Sequence, residues 1–175
     1  FGGVDSFPIC LATQDTDEIV KTCINIAPTF GGINLEDIRS PECFYIEKRL
    51  VEECSIPVFH DDQHGTAIIC TAGIMNASEL VNKPLDSLRV VFNGAGAAGI
   101  ACARMFVTAG IPRENITLCD IDGVIYRGRD KVMTAEHLEF AADTPHRKLS
   151  DAMRDADVFV GLSVGNCVTG DMIRS

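Results

Sequence analysis

The sequence predicts an α/β fold built on parallel β-strands, and three observations support this prediction. Short apolar runs alternate along the chain with segments of helical periodicity. Glycines or other turn residues separate several of these runs from the helix that follows. At 175 residues the chain can bury one large core or two small ones.

The composition excludes several classes of protein. A formal net charge of −10 argues against binding to nucleic acid and to anionic lipid surfaces. No apolar run approaches the roughly twenty residues of a membrane span, and the first residues do not resemble a signal peptide. Eight scattered cysteines without a C-x-x-C pattern are typical of buried thiols in a reducing compartment. We therefore expect a cytoplasmic enzyme.

The chain begins with a predicted strand and a predicted helix. Residues 7–11 form a short apolar run in which Pro8 restricts the strand to a sheet edge. Residues 15–18 then resemble a capping box that begins at Asp15. A stripe of apolar side chains at helical spacing follows, and Pro28 ends it. Nothing in this unit requires a function.

A pair of carboxylates follows the second predicted strand. Glu36 and Asp37 end the apolar run of residues 30–38. Ser40 and Pro41 then predict the N-cap and the first residue of a helix. Proteins of the α/β class place ligands where a strand ends and a helix begins. The alternative is that both carboxylates only complement the helix dipole.

A second acidic pair, Asp61 and Asp62, follows the strand predicted for residues 56–59 and precedes a long helix predicted for residues 67–81. Acidic pairs at two strand ends predict a single site for Mg²⁺ or Mn²⁺, which bind carboxylate oxygens and keep positions open for substrate and water. Capping of the helix by Asp62 explains that residue equally well.

His60 and His64 offer a competing interpretation, since a four-residue spacing on a helix is also that of a zinc-binding pair. We disfavour it because Gly65 and the preceding strand end place both histidines in a turn. A turn does not hold two imidazoles on one face.

The most informative stretch is a short apolar strand that turns through Gly94, Gly96 and Gly99 into a helix predicted for residues 99–109. In a G-x-G-x-x-G pattern the first glycine permits a tight turn, the second admits a pyrophosphate, and the third lets helix and strand pack closely. The N–H groups of the helix start then face the phosphates. The candidate cofactor-binding residues of this loop are Gly94, Ala95, Gly96, Ala97, Ala98 and Gly99.

The next strand, predicted for residues 116–119, supports dinucleotide binding over an ordinary turn. It ends at Asp120, about twenty residues past the last glycine, where the acid that binds the adenosine ribose belongs. Asp120 favours NAD through the ribose 2′-hydroxyl. Arg127 and Arg129 are either solvated loop charges or partners for the 2′-phosphate of NADP. The predicted cofactor is therefore NAD or NADP.

Two elements complete this part of the chain. A helix is predicted for residues 134–142 and a strand for residues 157–162. The strand ends in the small residues Ser163 and Gly165, which would let a cofactor lie close to the backbone.

Three motifs together resemble the bacterial-type malic enzymes: F-G-G-I-N-L-E-D-I at residues 30–38, I-P-V-F-H-D-D-Q-H-G-T-A at 56–67 and N-G-A-G-A-A-G at 93–99. The similarity extends over essentially the whole chain. These malate oxidoreductases (oxaloacetate-decarboxylating) convert L-malate to pyruvate and CO₂ with a divalent cation and NAD or NADP. The resemblance implies an NAD(P)-binding Rossmann-type parallel sheet preceded by part of a smaller α/β domain for metal and substrate.

The resemblance also implies roles for individual residues. The metal ligands are Glu36, Asp37 and Asp62. Asp61 is a neighbouring carboxylate that supports proton movement. The glycine-rich loop and Asp120 hold the dinucleotide.

Finally, the resemblance divides the chain into a metal and substrate domain at residues 1–60 and an NAD(P)-binding domain at residues 61–175. It implies L-malate as the substrate and a homo-oligomeric complete protein. The family's catalytic lysine and tyrosine match no residue here, and its Asn-Pro loop falls beyond residue 175. We therefore expect the chain alone to be inactive.

Two other classes of function stay open on the sequence. One is a Rossmann-type dehydrogenase that uses no metal, which would not respond to EDTA. The other is a nucleotide-sensing module that has lost its catalysis, and the intact acidic pairs argue against it.

Overall fold

A computed structural model describes residues 2–175. The strands in this range are β1 (Ile33–Leu35), β2 (Val58–His60), β3 (Val90–Asn93), β4 (Ile116–Asp120), β5 (Gly123–Val124) and β6 (Val158–Gly161). The helices are α1 (Thr16–Ile26), α2 (Glu42–Glu53), α3 (Asp61–Leu80), α4 (Ala97–Thr108), α5 (Ala135–Phe140), α6 (Leu149–Ala152) and α7 (Gly170–Arg174). Within this part of the chain no helix combines the length and the apolarity needed to cross a membrane.

The first part of the chain contains a small parallel sheet. β1 pairs with β2 so that Leu35 lies opposite His60, which brings the carboxyl ends of the two strands together. α1 and α2 pack against each other and cover a core of apolar side chains. The buried members of that core are Val20, Cys23, Leu35, Ile46 and Leu50.

The second part is built on a four-stranded sheet in the order β5-β4-β3-β6. β3 is parallel to both neighbours, and β5 runs antiparallel to β4. The rings of Phe92 on β3 and Phe106 on α4 lie 5.4 Å apart between centroids, within a continuous apolar core. The α/β fold with a parallel sheet, as predicted, is confirmed.

The carboxyl ends of the three parallel strands lie side by side, because Asn93 is in register with Cys119 and Gly161. α3 packs along α4. Lys83, just after α3, forms an ion pair with Asp157, which directly precedes β6. The end of α3 thus lies at the opposite edge of the sheet, so α3 and α4 both begin toward the carboxyl edge.

Residues 7–11 are not a strand, and this part of the sequence prediction is wrong. They are exposed and irregular, with Phe7, Ile9 and Leu11 facing solvent. An apolar run becomes a strand only where a neighbour can pair with its backbone. Among the described residues this run pairs with neither sheet.

Three helices begin at other residues than predicted. α2 begins at Glu42 with Pro41 at the N-cap position, and Ser40 makes no capping hydrogen bond. α4 begins at Ala97, two residues earlier than expected. α3 begins at Asp61 instead of near residue 67. At α3 and α4, Gly65 and Gly99 lower the helix propensity of the first turns, and tertiary packing outweighs that preference.

The sequence indicates a turn at residues 120–123 and an irregular segment at residues 124–129, whereas the structure forms a hairpin of β4 and β5 around that turn. The turn between the strands is closed by a 2.9 Å hydrogen bond from the N–H of Asp122 to Oδ1 of Asp120. β5 is only two residues long, so it leaves no periodic pattern to recognise.

Candidate functional site

Two strand-to-helix junctions supply the candidate site. The acidic junction comprises residues 60–66, where β2 leads into α3, together with Glu36 and Asp37 after β1. The glycine junction comprises residues 93–99, where β3 leads into α4. Since α3 and α4 both begin toward the carboxyl edge of the large sheet, the two junctions lie at the same end of the molecule.

The glycine junction needs its first and third glycines for the fold itself. Gly94 has a φ of 124°, and a Cβ there would overlap the carbonyl oxygen of Leu162. A Cβ on Gly99 would overlap the carbonyl oxygen of Gly94. Gly96 differs, because a Cβ built on it meets nothing within 4 Å. The second glycine therefore leaves open surface at the helix start.

The first turn of α4 is available to an anion. Gly96 occupies the N-cap position, no side chain caps the helix, and its first turn contains no acidic residue. The N–H groups at a helix start have no partner within the helix, and the dipole favours negative charge there. The carbonyl of Ala95 accepts a hydrogen bond from Nε2 of His137 at 3.0 Å, which ties the loop to α5.

Asp120 lies at the end of β4, where the sequence predicts the ribose-binding acid, but its carboxylate is not free. It forms an ion pair with Arg129, whose side chain is only 3% exposed. Nη1 of Arg129 donates to Oδ1 of Asp120 at 3.0 Å, and Nη2 donates to Oδ2. Arg129 is therefore not a solvated loop charge.

A cavity of about 370 Å³ opens at the end of β6. Ser163, Gly165 and Cys167 line it, and Sγ of Cys167 accepts a hydrogen bond from Nδ2 of Asn93 at 2.8 Å. The loop of small residues therefore lies beside the glycine junction, with space next to it for part of a ligand.

The acidic junction brings two of its three candidate ligands together. Oδ2 of Asp62 accepts a hydrogen bond from the backbone N–H of Asp37 at 3.1 Å. Asp37 itself has a φ of 56°, a backbone conformation that is strained for aspartate and common at functional sites. Oε1 of Glu36 instead accepts a hydrogen bond from Nδ2 of Asn34 at 2.8 Å.

The acidic junction has the type of ligand that a hard divalent cation requires, but its side chains do not converge around one point. Carboxylate oxygens are the ligands that such a cation prefers. Among residues 2–175, however, no three His, Cys, Asp or Glu side chains converge as a metal-binding group. His60 adds a notable feature: it is fully buried, neither ring nitrogen has a hydrogen-bond partner, and its Nε2 lies 3.5 Å from Oδ2 of Asp62.

Asp61 packs back against its own helix. A Cβ built on Gly65 would overlap its Oδ1 and lie 2.9 Å from its Cγ, so glycine is what leaves room for this carboxylate. Gly65 therefore lies inside α3 and does not form a turn. The prediction that His60 and His64 lie in a turn is therefore wrong for His64, which lies in α3. The contact of Nε2 of His64 with Oε1 of Glu47, a hydrogen bond of 2.6 Å, argues against a zinc pair in its place.

Glu47 is a site residue that sequence reasoning missed. It lies on α2 and holds the first turns of α3 through His64 and through Nε2 of Gln63, at 3.0 Å. The available signal is its position beside the buried stripe of α2, which contains Cys43, Ile46 and Leu50. An acid next to an apolar stripe is placed to contact a neighbouring helix.

Comparison with known proteins gives a consistent result. The family model described as "Malic enzyme, NAD binding domain" matches residues 63–173, and "Malic enzyme, N-terminal domain" matches residues 7–51. The NADP-dependent malic enzyme of Haemophilus influenzae is 49% identical, over 100% of this chain and 23% of its own length. The bifunctional malic/malolactic enzyme of Bacillus subtilis is 50% identical, over 100% of this chain and 43% of its own length.

The fold agrees with a solved structure as well. The crystal structure of the NAD-dependent malic enzyme from Thermotoga maritima matches with a TM-score of 0.93 and 37% identity, over 99% of this chain and 47% of that one. This chain thus spans less than half the length of each of these relatives.

Proposed function

Since the chain belongs to the malic enzyme family, as its three motifs predicted, we propose that it takes part in oxidative decarboxylation of L-malate. The products are pyruvate, CO₂ and reduced NAD or NADP. The observation that carries this proposal is the pairing of two junctions at one end of the molecule. One presents carboxylates from two strand ends, and the other presents a helix start without a side-chain partner.

The glycine junction and Asp120 are proposed to hold the dinucleotide. The N–H groups of Ala97, Ala98 and Gly99 begin α4 and would hold the pyrophosphate by donating to its oxygens. Gly96 admits the phosphates because no side chain occupies that surface. When bound, the nicotinamide accepts the hydride from C2 of malate.

The acidic junction is proposed to hold Mg²⁺ or Mn²⁺ through Glu36, Asp37 and Asp62. When bound, such a cation polarises the oxygen on C2 of malate. Asp62 is already positioned by the backbone of Asp37, whereas Glu36 has to exchange its hydrogen bond with Asn34. Asp61, held against Gly65, is proposed to support proton movement beside these ligands.

The proposed division of labour follows the two sheets. Residues 1–60 form the metal and substrate part, and residues 61–175 form the nucleotide part, which begins with α3 because that helix packs on α4. All eight cysteines, including the exposed Cys10, are free thiols. Free thiols support a reducing, cytoplasmic location. We also expect the complete protein to be a homo-oligomer.

The proposal is tested by a malate assay of the complete protein with NAD and with NADP, in the presence of Mn²⁺ or of EDTA. EDTA is expected to abolish turnover. Asp62→Asn removes one charge from the acidic junction and is expected to lower kcat/KM at least about a hundredfold, because a hard cation depends on its carboxylate ligands.

Asp86→Asn is the matched control, since Asp86 is an exposed acid on the turn before β3, outside both junctions. It is expected to keep the wild-type rate. Near-normal turnover of Asp62→Asn with Mn²⁺ would remove Asp62 from the metal site. Full turnover in EDTA would instead favour a dehydrogenase that uses no metal.

A further inference from the structure

A second cavity, of about 300 Å³, lies at the amino edge of the large sheet, opposite the edge at which the two junctions lie. Val91 of β3 and Thr117 of β4, which are in register, line this cavity together with Ala152 of α6. Its volume is at the lower end of the range found for sites that bind small molecules. This amino-edge cavity therefore has room for a compact ligand, and it shares no residue with either junction.

Three arginines that are far apart in the sequence line the amino-edge cavity. Arg89 directly precedes β3, and Arg113 begins the short turn before β4. Arg127 reaches the same edge because β5 is antiparallel to β4 and the chain continues in that direction, with the N–H of Ile125 donating to the carbonyl of Leu118 at 2.8 Å. Arg127 thus lies away from the glycine junction, and its charge is available to another ligand.

None of these three arginines forms an ion pair among the residues that the structure describes. Five other arginines do pair with a carboxylate, namely Arg39, Arg49, Arg104, Arg129 and Arg174. The chain has a net charge of −10, so carboxylates are abundant and a group of unpaired cations is unexpected. Because like charges repel, an anion that enters the cavity lowers the electrostatic energy of this group.

The contact of Arg113 with an aromatic ring holds its guanidinium in a position to bind an anion. Cζ of Arg113 lies over the ring of Phe140, 5.6 Å from the centroid. Such a contact occupies one face of the planar group, while its N–H donors lie in the plane and can bind two oxygens of one carboxylate or phosphate. Arg113 is also partly buried, so less side-chain entropy is lost when a ligand binds.

Two carboxylates and one imidazole also line the cavity. Glu114 follows Arg113 in the chain, and Asp143 and His146 belong to the segment between α5 and α6. Neither carboxylate forms an ion pair with an arginine among the described residues, so neither replaces an external anion. Counting arginines and carboxylates alone, three positive charges face two negative ones, and this surplus favours a negatively charged ligand.

We propose that the amino-edge cavity is a binding site for a compact polyanion, which Arg89, Arg113 and Arg127 hold together. Phosphate and carboxylate groups both accept paired N–H donors from a guanidinium, so the ligand is a small molecule with more than one such group. The site is separate from the proposed dinucleotide and metal sites, because its residues lie at the other edge of the sheet.

Titration calorimetry of the complete protein tests this site, with pyrophosphate and tricarballylate as probes and without a divalent cation. The two probes carry similar charge, so their relative affinities show whether the site prefers phosphates or carboxylates, and binding of either supports the proposal. Sodium chloride keeps the ionic strength constant, since salt screens exposed charges. Arg89→Met and Arg127→Met are each expected to weaken binding of the preferred probe at least about tenfold, because each removes charged hydrogen bonds to it.

Arg154→Met is the matched control. Arg154 is exposed, forms no ion pair among the described residues and does not line the cavity, although Ala152 and Ala156 on either side of it do. The variant changes the net charge equally and is expected to weaken binding less than about twofold. Arg89 and Arg127 are exposed as well, so their variants are expected to unfold at the wild-type temperature without ligand. If one of them is unfolded, the other decides the question.

Gly96→Ala is a second control, because pyrophosphate is also a ligand for the first turn of α4. The anion binding that depends on Arg89 and Arg127 is expected to be unchanged in this variant. A wild-type protein that binds neither probe overturns the inference, and so does equal weakening in Arg154→Met, which would indicate attraction by net charge alone. Weakening in Gly96→Ala without weakening in the arginine variants would assign the anion to the glycine junction and also overturn it.

Failure of the proposed function gives a different result. A complete protein that binds no dinucleotide but keeps arginine-dependent anion binding would refute the proposed nucleotide site and support the amino-edge cavity. Conversely, Arg89→Met and Arg127→Met are expected to keep the wild-type affinity for NAD and NADP, since both residues lie away from the glycine junction.

Discussion

The acidic junction and the glycine junction share a backbone plan and differ in chemistry. Each follows a parallel strand and begins a long helix. The acidic junction places Asp61 and Asp62 in the first turn of its helix. The glycine junction places no acid there and no capping side chain. One helix start is already compensated by the protein's own carboxylates, whereas the other is left for an external anion.

The comparison shows that the side chains at a helix start, and not the helix alone, decide whether a cation or an anion binds there. The dipole only favours a negative group at that end. When the protein supplies this negative group as a carboxylate, the carboxylate oxygens keep lone pairs that can bind a cation. When a ligand supplies the negative group, the backbone N–H groups at the helix start must be accessible to that ligand. A glycine serves both cases, since Gly65 leaves room for Asp61 and Gly96 leaves room for the ligand.

The largest expected effect comes from filling the turn of the glycine junction. In Gly99→Ala the new Cβ overlaps the carbonyl oxygen of Gly94, so the backbone has to move. We expect the free energy of unfolding to fall by roughly 1–3 kcal/mol, as for other forced overpacking, and dinucleotide binding to be lost. Chemical denaturation and titration with NAD and NADP measure the two effects.

Gly96→Ala sharpens this result, because its Cβ meets nothing in the free protein. It is expected to unfold like wild type and still to bind dinucleotide at least about tenfold more weakly, since the pyrophosphate needs that surface. Wild-type affinity in Gly96→Ala would mean that the phosphates do not approach the second glycine.

The corresponding test of the acidic junction is Gly65→Ala, with Gly73→Ala on the same helix as its control. A Cβ on Gly73 meets nothing within 4 Å, so this variant is expected to gain roughly 1 kcal/mol of stability from helix propensity. A Cβ on Gly65 displaces the carboxylate of Asp61 instead. Gly65→Ala is therefore expected to gain less stability and to lose roughly tenfold in kcat, with dinucleotide affinity unchanged.

Equal activity and equal stabilisation in the two variants would show that the position of Asp61 does not matter. Loss of dinucleotide affinity in Gly65→Ala together with the loss in kcat would show that the two junctions are not independent. Denaturation curves, malate turnover and nucleotide titration together distinguish these outcomes.

The features that the sequence predicts well are those with a local signature. The close approach of Gly99 to the carbonyl of Gly94 and the cap of α1 by Asp15 each depend on neighbours within a few residues. Oδ1 of Asp15 accepts from the N–H of Glu18 at 2.9 Å, as the local pattern indicates. The parallel pairing of the strands follows from the helices between them.

The features that it misses depend on contacts between elements. The pair of Asp120 and Arg129 needs the hairpin of β4 and β5, and β5 is too short to predict. The link from Glu47 to His64 joins two helices, which no periodicity reports. The convergence of Glu36 with Asp37 and Asp62 is still a proposal, because only the latter two meet.

The smallest expected effect is a local change in thiol reactivity at the glycine junction. Cys167 and Cys10 are both exposed, but only Cys167 lies in the loop beside Asn93. Dinucleotide is expected to slow alkylation of Cys167 at least about threefold, because bound ligand covers that loop, and to leave Cys10 unchanged.

Two buried thiols serve as internal controls for this measurement, which follows alkylated peptides by mass spectrometry. Burial raises the pKa of Cys43 to about 11 and that of Cys119 to about 12, so both stay protonated and unreactive at pH 8 while the protein is folded. Mn²⁺ alone is expected to change neither exposed thiol, since its proposed ligands belong to the acidic junction. Equal protection of Cys10 and Cys167 by dinucleotide would indicate that the ligand lowers thiol reactivity throughout the protein. That result would contradict binding of the dinucleotide at the glycine junction.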